Sequence, residues 1–325
     1  MPKLAILGAG SWGTALAIAL ESRFDQIALW AHDPAQADRL FLDRENAKYL
    51  PGFPLGPRIA ATTDLAAAIQ DADILLGVMP SAHARSVYQR IQTRQPIVSA
   101  TKGLERGTLL RMSQVIAEAT GSARVAVLSG PTFAREIAAG EPAAVALAAT
   151  DPALAALLQE AFRTPRFRPY TNADPAGVEL AGALKNVIAI AAGVVQGLGL
   201  GSNTKAALIT RGLAELSRLA QAAGARPETL AGLAGLGDLV LTCTGDLSRN
   251  RRVGIELAQG KTLPEILSSM QMVAEGVETT ASALALARKF SVETPICTQV
   301  GRILGGETTP KEAVRELMER SLKGE

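Results

Sequence analysis

Leu4-Ala5-Ile6-Leu7-Gly8-Ala9-Gly10-Ser11-Trp12-Gly13 runs straight into Thr14-Ala15-Leu16-Ala17-Ile18-Ala19-Leu20. The first four residues are an apolar run of strand length, and the last seven read as a helix. Between them lies G-x-G-x-x-G in the setting where it carries weight, a tight turn from strand to helix. Gly8 permits the sharp turn, Gly10 lets a pyrophosphate approach the backbone, and Gly13 lets helix and strand pack closely. The start of the following helix offers unpaired N–H groups and a partial positive charge to phosphates. Glycine-rich turns are common, but here both flanks agree, and a dinucleotide site is the reading preferred over a plain turn.

Outward from that turn, strand-like runs recur at Gln26–Trp30, Asp73–Met79, Pro96–Ala100, Val125–Ser129, Ala143–Leu147 and Phe167–Tyr170. Helical patterns fall between most of them, as at Leu65–Ile69, Ala84–Ile91 and Leu109–Ala119. Strands alternating with helices predict an α/β fold, a mostly parallel, doubly wound sheet covered on both faces. After Tyr170 the pattern changes. Asp174 and Pro175 suit an N-cap and first helical position, and an apolar helix follows to about Val195. From there only helices are expected, over Thr204–Ala223, Pro227–Ala234, Arg249–Gln259, Leu263–Ser269, Thr279–Phe290, Thr294–Leu304 and Pro310–Leu322. A chain of 325 residues exceeds what one core usually supports. Two domains are expected, an α/β domain over 1–180 and an all-α domain over 181–325.

Composition excludes several classes of function. The 33 basic and 31 acidic residues leave a net charge of +2, which gives no electrostatic reason to expect nucleic acid or a membrane surface. Only Leu180–Val195 is apolar enough to raise the question of membrane insertion, and Lys185 near its middle makes a buried helix the better reading. Cys243 and Cys297 are read as reduced thiols of a cytoplasmic protein. Met1-Pro2-Lys3-Leu4 runs into the first strand without an apolar leader, so no export signal is expected. Two histidines and two cysteines without metal-ligand spacing leave no metal site, and neither a Walker A run nor a nucleophile elbow occurs.

Parallel sheets bind ligands beyond the carboxyl ends of their strands. After the second strand come His32 and Asp33, the latter 20 residues beyond Gly13, the spacing for a group near an adenosine ribose. An acid there suggests NAD, an adjacent histidine allows a 2′-phosphate, and a plain turn before Pro34 fits equally well. His83, after the third strand, reads as a base or as a structural residue at a helix start. Lys102 follows the fourth strand, and Gly130-Pro131-Thr132-Phe133-Ala134 follows the fifth. In the second domain Lys185 sits in an otherwise apolar helix. Desolvation disfavours its charged form, which suits a proton shuttle for alcohol oxidation or ketone reduction. Snorkelling or pairing with an acid is the alternative, and Asp238 of Gly235-Leu236-Gly237-Asp238 is the available partner. Ser248-Arg249-Asn250-Arg251-Arg252 at a helix start reads as an anion site.

Together these stretches resemble the bacterial-type NAD(P)-dependent glycerol-3-phosphate dehydrogenases. The likeness runs through Gly8–Ala17, Ala100–Glu105, Ser129–Ala134, Leu184–Ala189, Ala207–Gly212, Gly235–Gly254 and Val273–Gly276. It implies a Rossmann domain, an all-helical second domain with a cleft between them, a homodimer, and NAD or NADP as cofactor. The implied reaction interconverts sn-glycerol 3-phosphate and dihydroxyacetone phosphate, supplying glycerol 3-phosphate for phospholipid synthesis. By the same resemblance Lys185 is the proton acceptor and Asp238 holds it and the substrate. Lys102, Gly130 and Thr132 would contact substrate, and Ser248, Arg249 and Asn250 would bind its phosphate. Ser11, Trp12, His32, Tyr49, Ala134, Val273 and Glu275 would line the cofactor site, with Lys102 and Arg249 near both ligands. Two alternatives remain at this point: a two-domain dehydrogenase acting on a β-hydroxy acid, and a non-catalytic dinucleotide-binding redox sensor. The first is disfavoured by the Ser248–Arg252 segment, the second by a buried lysine with an acid partner.

Overall fold

In the first strand, β1 (Lys3–Leu7), Leu4 and Ile6 enter one hydrophobic cluster, while Leu7 and Ala5 enter another. Side chains alternate across a strand, so the two clusters lie on opposite faces of the sheet. A strand covered on both faces has to be apolar throughout, which is why the run Leu4–Leu7 shows no polar alternation. The computed structural model describes residues 2–270 and 274–321. It separates into two compact units, Met1–Glu179 and Leu180–Glu325.

The first unit holds ten strands: β1, β2 (Gln26–Trp30), β3 (Glu45–Asn46), β4 (Leu50–Pro54), β5 (Ile59–Thr62), β6 (Ile74–Gly77), β7 (Ile97–Ser99), β8 (Val125–Ser129), β9 (Ala143–Ala148) and β10 (Phe167–Asn172). Eight form one sheet in the order β10-β9-β8-β7-β6-β1-β2-β5, and β3 and β4 form a separate antiparallel pair. Every neighbour in the large sheet is parallel except β8 with β9. The chain builds outward from β1 through β2 to β5, then returns to the other side of β1 with β6. The order therefore reverses between β1 and β6, and the loops leaving these two strands flank the crevice where such sheets bind ligands. This is the α/β, mostly parallel Rossmann-like sheet expected from the alternation of strands and helices.

Four features of this unit escape the sequence pattern. The strand β5 is only four residues long, and the pair β3–β4 contains two prolines and a glycine. The helices Pro34–Asp43 and Pro152–Phe162 begin with an aspartate cap and a proline at the first turn, Asp33 accepting from Ala35 N and Asp151 from Ala153 N. The helix expected from Leu109 begins instead at Met112. Leu109 adopts a positive φ of 61°, and Leu104 pairs with Arg111, so residues 104–111 close a tight loop.

From Leu180 onward the described residues hold helices and no strand. Pro175–Gly197 is long and apolar enough to cross a membrane, but 94% of its apolar window is buried within the protein. A second candidate, Pro227–Thr244 with Arg249–Ala258, is bent by 47°. Pro175–Gly197 is held close to Arg249–Ala258 by two glycines. A Cβ on Gly193 would lie 2.0 Å from the Arg251 carbonyl oxygen, and one on Gly254 2.0 Å from that of Ile190. Ser202–Ala222 carries the buried Glu215, whose carboxylate accepts from Ile296 N at 2.9 Å and Cys297 N at 2.8 Å. It thus satisfies the first turn of the helix Pro295–Leu304, which has no cap of its own. Burial pushes the Glu215 carboxyl up, and these two N–H bonds oppose the shift. The helix expected over Pro227–Ala234 stops at Leu230. A π-helical turn, Leu233–Gly237, then leads into Asp238–Thr244.

A Cβ on Gly13 would lie 1.9 Å from the Gly8 carbonyl oxygen, so the helix Ser11–Leu20 can sit on β1 only with glycine there. Gly13→Ala is expected to destabilise the fold by about 1–3 kcal/mol, the usual range for overpacking, read as a drop in thermal midpoint.

Candidate active site

The glycine turn lies at the reversal point of the sheet. Gly8 has φ +125°, and a Cβ on it would press to 3.0 Å on the backbone of Val78 and Met79, where the chain leaves β6. Its N–H donates to Trp30 O at 3.1 Å, while Val78 N donates to Leu7 O at 2.9 Å. Gly10 precedes the helix Ser11–Leu20, which has no side-chain cap. A Cβ on Gly10 would meet no protein atom within 4 Å, so the space beside this uncapped helix start is open to a ligand. Trp12 Nε1 is buried and donates to no protein acceptor among the described residues. An open cradle of N–H donors with a spare buried donor alongside fits a dinucleotide pyrophosphate.

The turn is braced by the pair β3–β4. Asn46 Nδ2 donates to Ala9 O at 3.0 Å and to Thr14 Oγ1 at 2.7 Å, and Gln36 Nε2 also donates to Ala9 O. This brings Tyr49, half-buried, into the neighbourhood of the glycines, with Lys48 Nζ 4.8 Å from its ring centre. Asp33 spends one carboxylate oxygen on its cap, as the turn reading implied. His32 is exposed, its ring 6.1 Å from that of Trp30. Ala134 opens the helix Ala134–Ala138, which packs on Ser11–Leu20. Val273 lies outside the described residues. Glu275 is the first residue of the helix Glu275–Phe290, in the second unit.

Adjacent parallel strands β7 and β8 bring Lys102, Gly130 and Thr132 together. Lys102 Nζ donates to Gly130 O at 3.1 Å and to Thr132 Oγ1 at 3.4 Å, while Thr132 Oγ1 donates to Gly130 O at 3.0 Å. Gly130 has φ +152°, and a Cβ would come to 3.0 Å from Val145 Cα, so the turn requires glycine. Thr101 Oγ1 donates to Met79 O at 2.7 Å, tying this loop to the exit of β6. His83 is exposed on the helix Ser81–Tyr88 and shows no hydrogen bond to this group.

In the second unit Lys185 is buried, and its Nζ donates to Asp238 Oδ1 at 2.5 Å and Thr242 Oγ1 at 2.7 Å. Thr242 Oγ1 in turn donates to Asp238 O at 2.6 Å. The π-helical turn sets up this pair: a Cβ on Gly235 would lie 2.0 Å from Leu230 O, so the chain can fold back and start the helix Asp238–Thr244 beside Lys185. Thr242 was missed by sequence reasoning. Its signal is the four-residue spacing from Asp238, which places both on one helix face. The neighbouring Cys243 thiol is pushed up to about 12 by burial, so it stays protonated and offers no nucleophile at neutral pH.

The Ser248–Arg252 segment divides its labour. Ser248 Oγ caps the helix Arg249–Ala258 by accepting from Arg251 N at 3.3 Å. Asn250 Oδ1 accepts from Gly276 N at 2.9 Å, joining the start of Glu275–Phe290. Arg251 is buried and binds Asp246 at 2.5 Å and Gln196, and Arg252 pairs with Glu256 at 2.6 Å. Arg249, the first residue of the helix, is exposed, as is Arg252. Among the described residues no group of three His, Cys, Asp or Glu is placed to hold a metal.

Gly10 and Gly13 are expected to separate binding from folding. Gly10→Ala, which meets no protein atom, should leave the thermal midpoint unchanged while weakening NAD(P)H at least tenfold, or roughly 1.4 kcal/mol, by fluorescence titration.

Residues 3–155 match the family model for the NAD-dependent glycerol-3-phosphate dehydrogenase N-terminus, and residues 174–315 match that for the C-terminus. The glycerol-3-phosphate dehydrogenase (NAD(P)+) of Citrifermentans bemidjiense is 53% identical over 99% of this chain and 98% of its own length. That of Aromatoleum aromaticum is 51% identical over 99% of this chain and 100% of its own. A crystal structure of glycerol-3-phosphate dehydrogenase from Coxiella burnetii superposes with a TM-score of 0.94 at 43% identity, covering 98% of this chain and 99% of that one. With both halves matched and these relatives spanning nearly every residue, the chain belongs to the NAD-dependent glycerol-3-phosphate dehydrogenase family.

Proposed function

We propose that this chain interconverts dihydroxyacetone phosphate and sn-glycerol 3-phosphate with NAD(P)H or NAD(P)+, and that Lys185 moves the proton. The observation that carries the proton role is the buried Lys185 amine at 2.5 Å from Asp238 and 2.7 Å from Thr242. In this reading residues 1–180 hold the dinucleotide on Gly8, Gly10, Ser11, Trp12 and Gly13, with Tyr49, His32 and Ala134 around it. Residues 181–325 supply the proton relay and the phosphate grip. Lys102, Gly130 and Thr132 contact the substrate, and Val273 and Glu275 complete the cofactor site.

When bound, the nicotinamide supplies the hydride. In the reducing direction Lys185 gives an Nζ proton to the C2 carbonyl oxygen as that carbon becomes a carbinol, and in oxidation it takes the proton back. Asp238 and Thr242 together fix the aim of Nζ. A lysine without that partner would be a lone buried charge, and Asp238 without the lysine another. Ser248, Arg249 and Asn250 hold the phosphate end, which orients C2 for transfer. The uncapped open space at Gly10 and the orphan Trp12 Nε1 support the cofactor assignment, and the exposed Arg249 at a helix start supports the phosphate assignment.

The supply of glycerol 3-phosphate for glycerophospholipids, a cytoplasmic location and a homodimeric state belong to the same proposal. The free, buried Cys243 and Cys297 suit a reducing compartment.

Assay of dihydroxyacetone phosphate reduction with NADH and NADPH in parallel tests the activity and the cofactor preference together. Lys185→Ala is expected to abolish turnover while leaving NAD(P)H affinity nearly intact, and ordinary activity in that variant would end the proton role. Arg249→Ala is expected to raise the KM for dihydroxyacetone phosphate by roughly 10- to 150-fold, the worth of a lost charge-assisted contact of about 1.5–3 kcal/mol. An unchanged KM would place the phosphate elsewhere.

A further inference from the structure

Glu179 is a carboxylate outside the groups assigned so far that accepts three hydrogen bonds. It is buried, on the helix Pro175–Gly197, six residues before Lys185. Its Oε1 accepts from Ser113 N at 2.7 Å, and its Oε2 accepts from Ser113 Oγ at 2.5 Å and Arg111 Nη1 at 2.7 Å. Arg111 also donates to Ser113 Oγ at 2.9 Å. Desolvation raises the carboxyl, and the Arg111 charge and the Ser113 bonds oppose that rise. A group so costly to bury is retained only if its bonds do something a hydrophobic side chain would not.

Arg111 is not a remote surface residue. It closes the loop 104–111 that directly follows Lys102, pairing with Leu104, while Glu105 N donates to Leu110 O at 2.9 Å across the same loop. That loop is clamped again by Arg85, which meets the Glu105 carboxylate at 2.6 and 2.9 Å. Glu179 therefore ties the start of the lysine-bearing helix to the base of that loop. On a helix, six residues advance about 9 Å and turn roughly 120° away from the starting face. Glu179 thus faces away from Lys185 and acts on it only through the helix backbone.

We propose that Glu179 is a positioning residue. Its contacts with Arg111 and Ser113 set the axial position and roll of the helix and so the aim of Lys185. This rests on the proton role of Lys185 given above. The geometry is demanding because an error of an ångström in aim is enough to slow a transfer step substantially. A simple ion pair at the surface would not impose it, since such pairs bend with their long side chains.

The test uses the full-length chain and its preferred reduced cofactor. Glu179→Gln keeps the volume but turns a carboxylate oxygen into a donor facing the Arg111 donors. Arg111→Gln removes the cation from the other side. Single-turnover reduction of dihydroxyacetone phosphate, followed by nicotinamide absorbance in stopped flow, gives a rate constant for the chemistry and an amplitude for the competent fraction. Both variants are expected to slow the rate constant roughly tenfold or more at full amplitude, with NAD(P)H affinity within about twofold of the parent. A role confined to stability would lower the amplitude and leave the rate constant untouched. An unchanged rate constant in either variant overturns the proposal, whatever the amplitude. Failure of the proton role on which this rests is distinguishable, because Lys185→Ala would then keep an ordinary single-turnover rate constant.

Discussion

The Lys185 amine and the Asp238 carboxyl group, both buried and 2.5 Å apart, make the constraint on which the helical unit depends. Removing two charges from water is costly, and their attraction offsets that cost only when the geometry is good and other bonds complete the shell. Thr242 completes it here, accepting from Lys185 and donating to the Asp238 carbonyl. The surrounding helices must then hold three side chains from two segments to within tenths of an ångström. They do so with glycine: Gly193 and Gly254 let Pro175–Gly197 and Arg249–Ala258 touch backbone to backbone, and Gly235 lets the chain fold back before Asp238. Larger residues at Gly193 or Gly254 would push Arg249–Ala258 away from the lysine-bearing helix, and one at Gly235 would disturb the turn that precedes Asp238.

The same economy explains the arginine cluster. Arg251 spends its charge on Asp246 and Gln196, and Arg252 on Glu256. Arg251 and Ser248 thereby fix the helix start, and Arg249 is left exposed on it. Asn250 looks toward Gly276 and binds a second helix start to the first. Arg249 and Arg252 are both exposed on this helix, while Ser248, Asn250 and Arg251 are buried.

The fold was legible in the sequence wherever burial imposes a pattern. A strand covered on both faces reads as an unbroken apolar run, and Leu4–Leu7 and Val125–Ser129 were found that way. The apolar run Leu180–Val195, interrupted by Lys185, was found that way within the helix Pro175–Gly197. The strand β5 and the pair β3–β4 were not, because four residues carry too little periodicity and Pro51, Gly52 and Pro54 break what there is. Yet Asn46 of that pair braces the glycine turn. It could be recognised only from the tertiary contact.

The candidate site divides along the same line. Residues at strand ends and helix starts declare themselves by position, which is how Lys102, Gly130 and Ser248 were reached. Residues that act by pairing declare nothing until the partner is known. Thr242 lies in an unremarkable Leu-Thr-Cys-Thr run, and Glu179 and Arg111 are separated by 68 positions. The chemistry was therefore readable from one residue in each pair, while the arrangement that aims it follows from contacts across the fold. Among those contacts, the Glu179 carboxylate is the one that local pattern has least reason to place in an apolar helix, and burying it there makes sense only if the helix needs to be fixed.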